Sequence, residues 1–126
     1  MTDPLGATVW VFPAGRIPPE STGREPEYTS RDELCILNTD SAPAQLAITV
    51  FHAERDPVGP YEVEVAGQRV RRIRVNDLID PEAVPYDTPY GLVVRSDRPV
   101  TIQHLHLDSR RPEDSLFAAP GYPASS

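Results

Sequence analysis

The chain has 126 residues, enough for one domain with a substantial apolar core that needs neither metal nor disulfide. Its formal net charge of −7 argues against nucleic acid as a partner, because phosphate binding requires a basic surface. The 15 prolines and 7 glycines favour many short strands and turns over long helices. The single cysteine, Cys35, lies in an apolar run typical of a buried thiol and excludes an intramolecular disulfide.

The first half of the chain predicts four strands, at 7–12, 33–38, 45–53 and 61–65. The third and fourth alternate apolar and polar residues, which indicates one buried and one wet face. The proline-rich stretch 16–31 predicts a loop or a weakly paired edge, and its length indicates a function beyond connection alone. The first strand carries the sole tryptophan, Trp10, which predicts either a core residue or a flat surface on which a ligand stacks.

The middle of the chain predicts a hairpin connection at 66–68 that leads into a strand at 69–75. Four arginines lie in this strand, and its apolar residues are out of phase, which predicts a bulge or a register shift. The arginines either balance the acidic surface or pair with carboxylates of a neighbouring subunit. The segment 76–81 predicts one helical turn capped by Asn76 or Asp77.

The last third predicts a strand at 90–95, a turn at Ser96–Asp97, the strand 98–110, an edge strand at 115–119 and a loose tail over 119–126. With a period of two, His104, His106 and Asp108 share one face of the strand 98–110. Ionisable groups in that number on one side indicate a polar site. The histidines could instead bond neighbouring backbone or lie at an interface.

A metal site is not expected, because two imidazoles are too few ligands and His52 is the only other histidine. No cofactor motif is present. No apolar segment reaches transmembrane length and the amino terminus does not read as a signal peptide, so we expect a soluble, cytoplasmic protein. The pattern of short strands predicts an all-β fold: residues 1–126 form a single antiparallel β-sandwich or barrel.

Several short segments, in order along the chain, resemble the sensory rhodopsin transducer family. They are G-R-I-P-P (15–19), E-P-E-Y (25–28), C-I-L-N (35–38), D-P-V-G-P-Y (56–61), V-N-D-L-I-D-P (75–81), D-T (87–88) and Q-H-L-H-L-D-S-R (103–110). The resemblance implies a small β-sandwich similar to carbohydrate-binding modules, assembled as a homotetramer in the cytoplasm. It also implies a signalling role as partner of a membrane photoreceptor, and a sugar-like small ligand.

We therefore expect a non-enzymatic signal transducer that binds a small sugar-like metabolite in a polar pocket. The residues expected to line the pocket are Trp10, Glu25, Asn76, Asp77, His104, Asp108 and Arg110. A first alternative is an interaction module that docks a membrane photoreceptor or another partner without a small ligand. A second is a hydrolase with His104 and Asp108 as acid and base, which a separation of roughly 13 Å along a straight strand disfavours.

Overall fold

The structure, a computed structural model, describes residues 5–17, 31–85, 88–108 and 115–124; for residues 31, 107–108 and 115–120 it describes the backbone alone. Eight strands and one 3₁₀ helix form this part of the chain. The strands are β1 (Ala7–Gly15), β2 (Arg31–Asn38), β3 (Ala44–His52), β4 (Val58–Val65), β5 (Arg69–Arg74), β6 (Tyr90–Asp108), β7 (Ser115–Pro120) and β8 (Tyr122–Ala124), and the 3₁₀ helix is Val75–Asp77. Every strand pair is antiparallel. The prediction of an antiparallel all-β, sandwich-like fold is confirmed, and the likeness to carbohydrate-binding modules stays a prediction.

The long strand β6 belongs to two sheets. Its first half pairs with β1 and β3 in a sheet of order β4-β3-β6-β1-β8. Its second half pairs with β2 and β7, and β2 carries β5 at the edge of this second sheet. We call these the first and the second sheet. Because β6 is shared, it fixes how the two sheets face each other.

The chain reverses direction inside β6. Tyr90 and His106 both bond the carboxylate of Asp32, although a straight strand would separate them by about 50 Å at 3.3 Å per residue. The register of β1 against β6 shifts between Ala7 and Val9, whose partners are Val100 and Arg95. The strand therefore folds back on itself near 96–99. The turn predicted at Ser96–Asp97 lies at this bend, and residues 97–99 have no partner in the strand registers of the described residues. The two strands predicted on either side of it form one continuous strand, Tyr90–Asp108.

The alternating strands pack as their pattern predicts. Leu46, Ile48 and Val50 of β3 are buried, while Glu62 and Glu64 of β4 are exposed. The core is one cluster filled from both sheets and closed by aromatic side chains near the ends of β1 and β6. Its residues are Trp10, Phe12, Ile17, Leu34, Ile36, Ala44, Leu46, Ile48, Val50, Tyr61, Val63, Val65, Ile73, Val75, Val84, Tyr90, Leu92, Val94, Val100 and Ile102. This burial supplies the main driving force for folding.

Three local predictions for the middle of the chain were wrong. Residues 66–68 do not join a hairpin, because β5 pairs with β2 rather than with β4. The strand β5 has no bulge: its register against β2 is unbroken, and Val70 simply faces solvent while Ile73 faces the core. The single helical turn predicted over 76–81 lies instead at Val75–Asp77 as a 3₁₀ helix, and its N-cap is Arg74, without a side-chain cap, rather than Asn76 or Asp77.

Two further predictions also failed. The tail contains the strand Tyr122–Ala124, paired with β1, so it is not loose throughout. The thiol of Cys35 is half-buried rather than buried, since Cys35 lies on the outer face of β2. The pairing of the tail joins segments distant in the sequence, which local patterns do not specify, whereas the position of Cys35 follows from the alternation of side chains along β2.

Candidate functional site

A buried carboxylate lies at the centre of the polar residues in this molecule. Asp32 follows the first residue of β2 and shares the inner face of that strand with Leu34 and Ile36. Its side chain has 0% exposure, as complete a burial as that of the two apolar neighbours. A carboxylate in this environment must be compensated by hydrogen bonds or opposite charge.

Donors from separate segments supply this compensation. The backbone N–H of Arg16, just beyond β1, donates to Oδ2 of Asp32 over 3.0 Å. The hydroxyl of Tyr90, at the start of β6, donates to the same oxygen. Nδ1 of His106, near the end of β6, contacts Oδ1. In return the backbone N–H of Asp32 donates to Oδ1 of Asn76 over 3.3 Å, which joins the 3₁₀ helix to the group.

His104 completes what we call the Asp32 cluster, defined as Asp32, Tyr90, His104 and His106. Its imidazole is 6% exposed, with Nε2 lying 3.6 Å from Oδ2 of Asp32. That separation allows electrostatic attraction but is too long for a hydrogen bond. Nε2 is buried and has no hydrogen-bond partner among the described residues. The ring instead meets the ring of Phe12 edge-on, with 5.8 Å between centroids.

The cluster favours an ionised carboxylate. Burial raises the pKa of Asp32, but the nearby His104 ring and the donors Tyr90 and His106 lower it by more, so the pKa lies below its usual value. Burial and the adjacent Asp32 charge raise the pKa of Tyr90, which keeps its hydroxyl protonated as a donor. Because an ionised carboxylate only accepts, Nδ1 of His106 must carry a proton.

This arrangement is suited to holding segments together. Asp32 accepts from three donors, at the end of β1 and at both ends of β6, so both of its oxygens bind the protein itself. Within the described ranges, no three His, Cys, Asp or Glu side chains are arranged to bind a metal. Nε2 of His104 and Nδ1 of His106 each face an oxygen of Asp32. The cluster therefore acts first as a polar clasp between the two sheets.

The predicted residue Trp10 lies in the core, with 8% exposure. Its indole Nε1 donates to the backbone oxygens of Ala7 at 3.1 Å and Val100 at 2.9 Å, which binds β1 to β6 beside the bend. Its ring stacks on Phe12, with 6.5 Å between centroids, and Phe12 in turn contacts His104. The indole thus supports the cluster through one intervening ring.

The other predicted site residues are divided. His104 and Asn76 meet at Asp32. Asp77, by contrast, is exposed and lies 4.0 Å from Nε of Arg74. Asp108 pairs with Ser115 through the β6–β7 register, and the backbone alone is described there. Glu25 and Arg110 lie outside the described residues. That all seven line one ligand pocket stays a prediction.

Sequence reasoning missed Asp32 and Tyr90, the two best-connected members of the cluster. The signal for Asp32 was its phase: with period two it falls on the face of Leu34, Ile36 and Asn38, so an acid stands where a core residue is expected. Placing the start of the strand at Glu33 removed Asp32 from that pattern. Tyr90 gave no local signal, because its role depends on the reversal within β6.

Surface pockets lie at the end of β3 and the start of β6. One of about 530 Å³ is lined by His52, Ala53, Glu54, Arg55, Pro85, Thr88 and Pro89. A smaller one of about 270 Å³ shares three of these residues and reaches Tyr90 of the Asp32 cluster. His52 thus lies half-exposed at a pocket wall.

The fold and the site define a class: small antiparallel all-β proteins with a buried carboxylate–imidazole cluster between two sheets that share one strand. The chain belongs to the Anabaena sensory rhodopsin transducer family, whose model matches residues 5–123, and the predicted family is confirmed. It is similar to the crystal structure of Thermotoga maritima 1070, with 31% identity and a TM-score of 0.83 over 95% of this chain and 97% of that one.

It is also similar to the Anabaena sensory rhodopsin transducer itself. That structure is 37% identical, with a TM-score of 0.73 over 82% of this chain and 97% of the other. No match was found among curated proteins. Family membership supports a role in signal transduction. In the part of the chain that the structure describes, no helix has the length and apolar character needed to cross a bilayer.

Proposed function

We propose that this protein is a non-enzymatic signal transducer of the cytoplasm that works as a homotetramer and docks a membrane photoreceptor or a partner in its place. Membership of a family typified by a sensory rhodopsin transducer supports the transducing role. The observation that carries the non-enzymatic part is the commitment of both Asp32 oxygens to donors of the protein itself. Protein donors thus take three of the roughly four lone-pair sites of this carboxylate, an arrangement that stabilises a rigid scaffold.

A transducer requires a scaffold that responds as one body when a partner binds. The Asp32 cluster joins β2 to the end of β1, to the 3₁₀ helix and to both ends of β6. Both sheets therefore share one polar contact point in their interior. A partner that displaces one of these segments changes the environment of the others, which is how a binding event at one surface reaches another.

The test is binding to a photoreceptor in its two light states. A sensory rhodopsin of the same organism, or of Anabaena, is placed in lipid nanodiscs, and the purified protein is titrated in the dark and under illumination. We expect saturable binding with different affinities in the two states, because a ligand shifts an equilibrium only by its differential affinity. Equal affinities, or binding no stronger than to empty nanodiscs, would refute docking to a photoreceptor. Light scattering tests the tetramer, and a monomer at micromolar concentration would contradict it.

A second candidate function is the binding of a sugar-like metabolite beside the Asp32 cluster. The specific observation in its favour is His104, whose Nε2 is buried beside a cluster of polar groups and bonds none of the residues that the structure describes. Its lining would be the predicted set that includes Asn76 and Asp77, with Trp10 supporting it from the core. Thermal stabilisation by mono- and disaccharides tests it, since saturation at 100 Kd adds about 2.7 kcal/mol. A flat response across the panel would refute this function and leave protein docking untouched.

A further inference from the structure

The edge strand β5 is strongly basic, whereas the chain as a whole is acidic. Its six residues read R-V-R-R-I-R, so four of the 12 basic residues lie on one short strand. Its first four residues are all exposed. In a protein of net charge −7, this is a concentrated basic surface on an acidic background. We call β5 with the exposed Leu37 beside it the basic edge.

One side of β5 is open. β5 pairs with β2 alone among the described strands. In an antiparallel pair, alternate residues direct their N–H and C=O groups away from the partner strand. Apart from helix and strand ladders, the backbone hydrogen bonds of the described residues involve Gln68 and Leu78 but no residue of β5. With respect to the described residues, the outer side of β5 therefore presents unpaired ladder groups that can template another strand.

Two of the arginines also have no carboxylate partner. Arg69 donates to the backbone oxygen of Gln68 at 3.0 Å, and Arg71 donates to the backbone oxygen of Glu64 at 2.7 Å. Neither makes an ion pair with a described residue. Arg72 differs, because Nε and NH2 both donate to Oε2 of Glu33, at 3.0 and 2.6 Å. Two guanidinium charges thus remain available on the strand.

The remaining exposed position is apolar. Val70 is 65% exposed and lies directly opposite Leu37 of β2, itself 43% exposed. The two form a small apolar pair on the outer face of the second sheet, flanked along β5 by Arg69 and Arg71. Because side chains alternate along a strand, a strand added to β5 would place apolar residues near Val70 and charged residues near the arginines.

We propose that the basic edge binds an extended acidic segment of a partner protein, which adds to the second sheet as a strand beside β5. The recognised pattern alternates acidic and apolar side chains: carboxylates face Arg69 and Arg71, and an apolar residue covers Val70 and Leu37. Charged edge strands resist pairing in general, but this edge repels basic strands and admits acidic ones. The inference holds whatever the protein from which the acidic segment comes, and so does not rest on photoreceptor docking.

The test uses a fluorescein-labelled peptide that alternates glutamate with valine, measured by fluorescence anisotropy against the full-length protein. A lysine–valine peptide is the charge-reversed control. We expect the acidic peptide alone to bind. The double variant Arg69→Gln/Arg71→Gln should weaken this binding about tenfold, since opposite-charge cross-strand pairs contribute to pairing in this range. The double variant Arg55→Gln/Arg95→Gln has the same net charge and should bind as the wild type does.

Strand addition is separated from general attraction by two N-methylated versions of the acidic peptide. One blocks the odd amides and the other the even ones, so only the version whose blocked amides face β5 should lose binding. Equal binding by both versions, or equal loss in both double variants, overturns the proposal. So does self-association through this edge in place of peptide binding, seen as wild-type oligomers that Arg69→Gln/Arg71→Gln dissociates.

Discussion

The replacement Tyr90→Phe removes one oxygen from the Asp32 cluster and leaves the ring in place. The Tyr90 hydroxyl donates to a fully buried, ionised carboxylate. Hydrogen bonds to charged groups contribute about 1.5–3 kcal/mol to stability, against about 0.5–1.5 kcal/mol for neutral pairs. We therefore expect Tyr90→Phe to lower the free energy of unfolding by about 2 kcal/mol.

The chain offers a matched control in Tyr61→Phe. Tyr61 and Tyr90 are equally inaccessible, at 2% and 3% exposure. The hydroxyl of Tyr61 donates to the backbone oxygen of Glu82, a neutral acceptor. The same deletion there should cost about 1 kcal/mol, so the difference between the two variants isolates the effect of the acceptor charge.

Urea unfolding followed by the fluorescence of Trp10 measures both variants, and the slope of each transition checks that the compactness of the denatured state is unchanged. The gap between the variants should close in acid, because protonation of Asp32 removes the charge that strengthens the bond. Equal losses for the two variants at neutral pH, or a gap that persists when Asp32 is protonated, would refute an ionised carboxylate at the centre of the cluster.

Three further predictions concern the same interior. Asp32→Ala should lower the free energy of unfolding by about 3–5 kcal/mol, because it leaves buried donors without an acceptor. The control Asp77→Ala removes an exposed carboxylate and should change that free energy by no more than about 0.5 kcal/mol. Similar losses for the two variants in chemical denaturation would contradict the clasp. Because the pKa of Asp32 is lowered on folding, this carboxyl stabilises the protein at pH values above its unfolded-state pKa, and the stabilisation is lost as the pH falls through the folded-state pKa. The wild type should therefore lose more stability below about pH 4 than Asp32→Asn does. Parallel acid-unfolding curves for the two proteins would contradict this. Trp10→Phe deletes the bonds to Ala7 and Val100 and should cost about 1–3 kcal/mol, measured by calorimetry; an unchanged melting temperature would show that these bonds contribute nothing.

Local patterns in the sequence were reliable where burial follows the period of a strand. The alternation of β3 and β4 predicted which side chains enter the core, because one face of each strand is covered and the other is wet. The shared face of His104 and His106 was also evident, since two residues apart on a strand point the same way. These features require only the residues themselves and the geometry of an extended chain.

Features that depend on which strands pair could not be predicted in this way. The phase of Val70 and Ile73 suggested a bulge, but an edge strand can expose one apolar residue without distortion. The connection at 66–68 looked like a hairpin, because nothing local reveals that the chain passes from one sheet to the other there. The basic edge exists only because β5 takes the outer position beside β2.

Residue order and side-chain alternation were sufficient to predict the class of fold, the family and the two imidazoles on one strand face. The groups that those imidazoles face depend on how the chain folds in three dimensions. The reversal within β6 brings Tyr90 and His106 to one carboxylate that β2 holds in the core. The carboxylate of Asp32 is buried, and a buried charge requires hydrogen-bond donors or opposite charge close by. The folded chain supplies these partners from segments that are distant in the sequence.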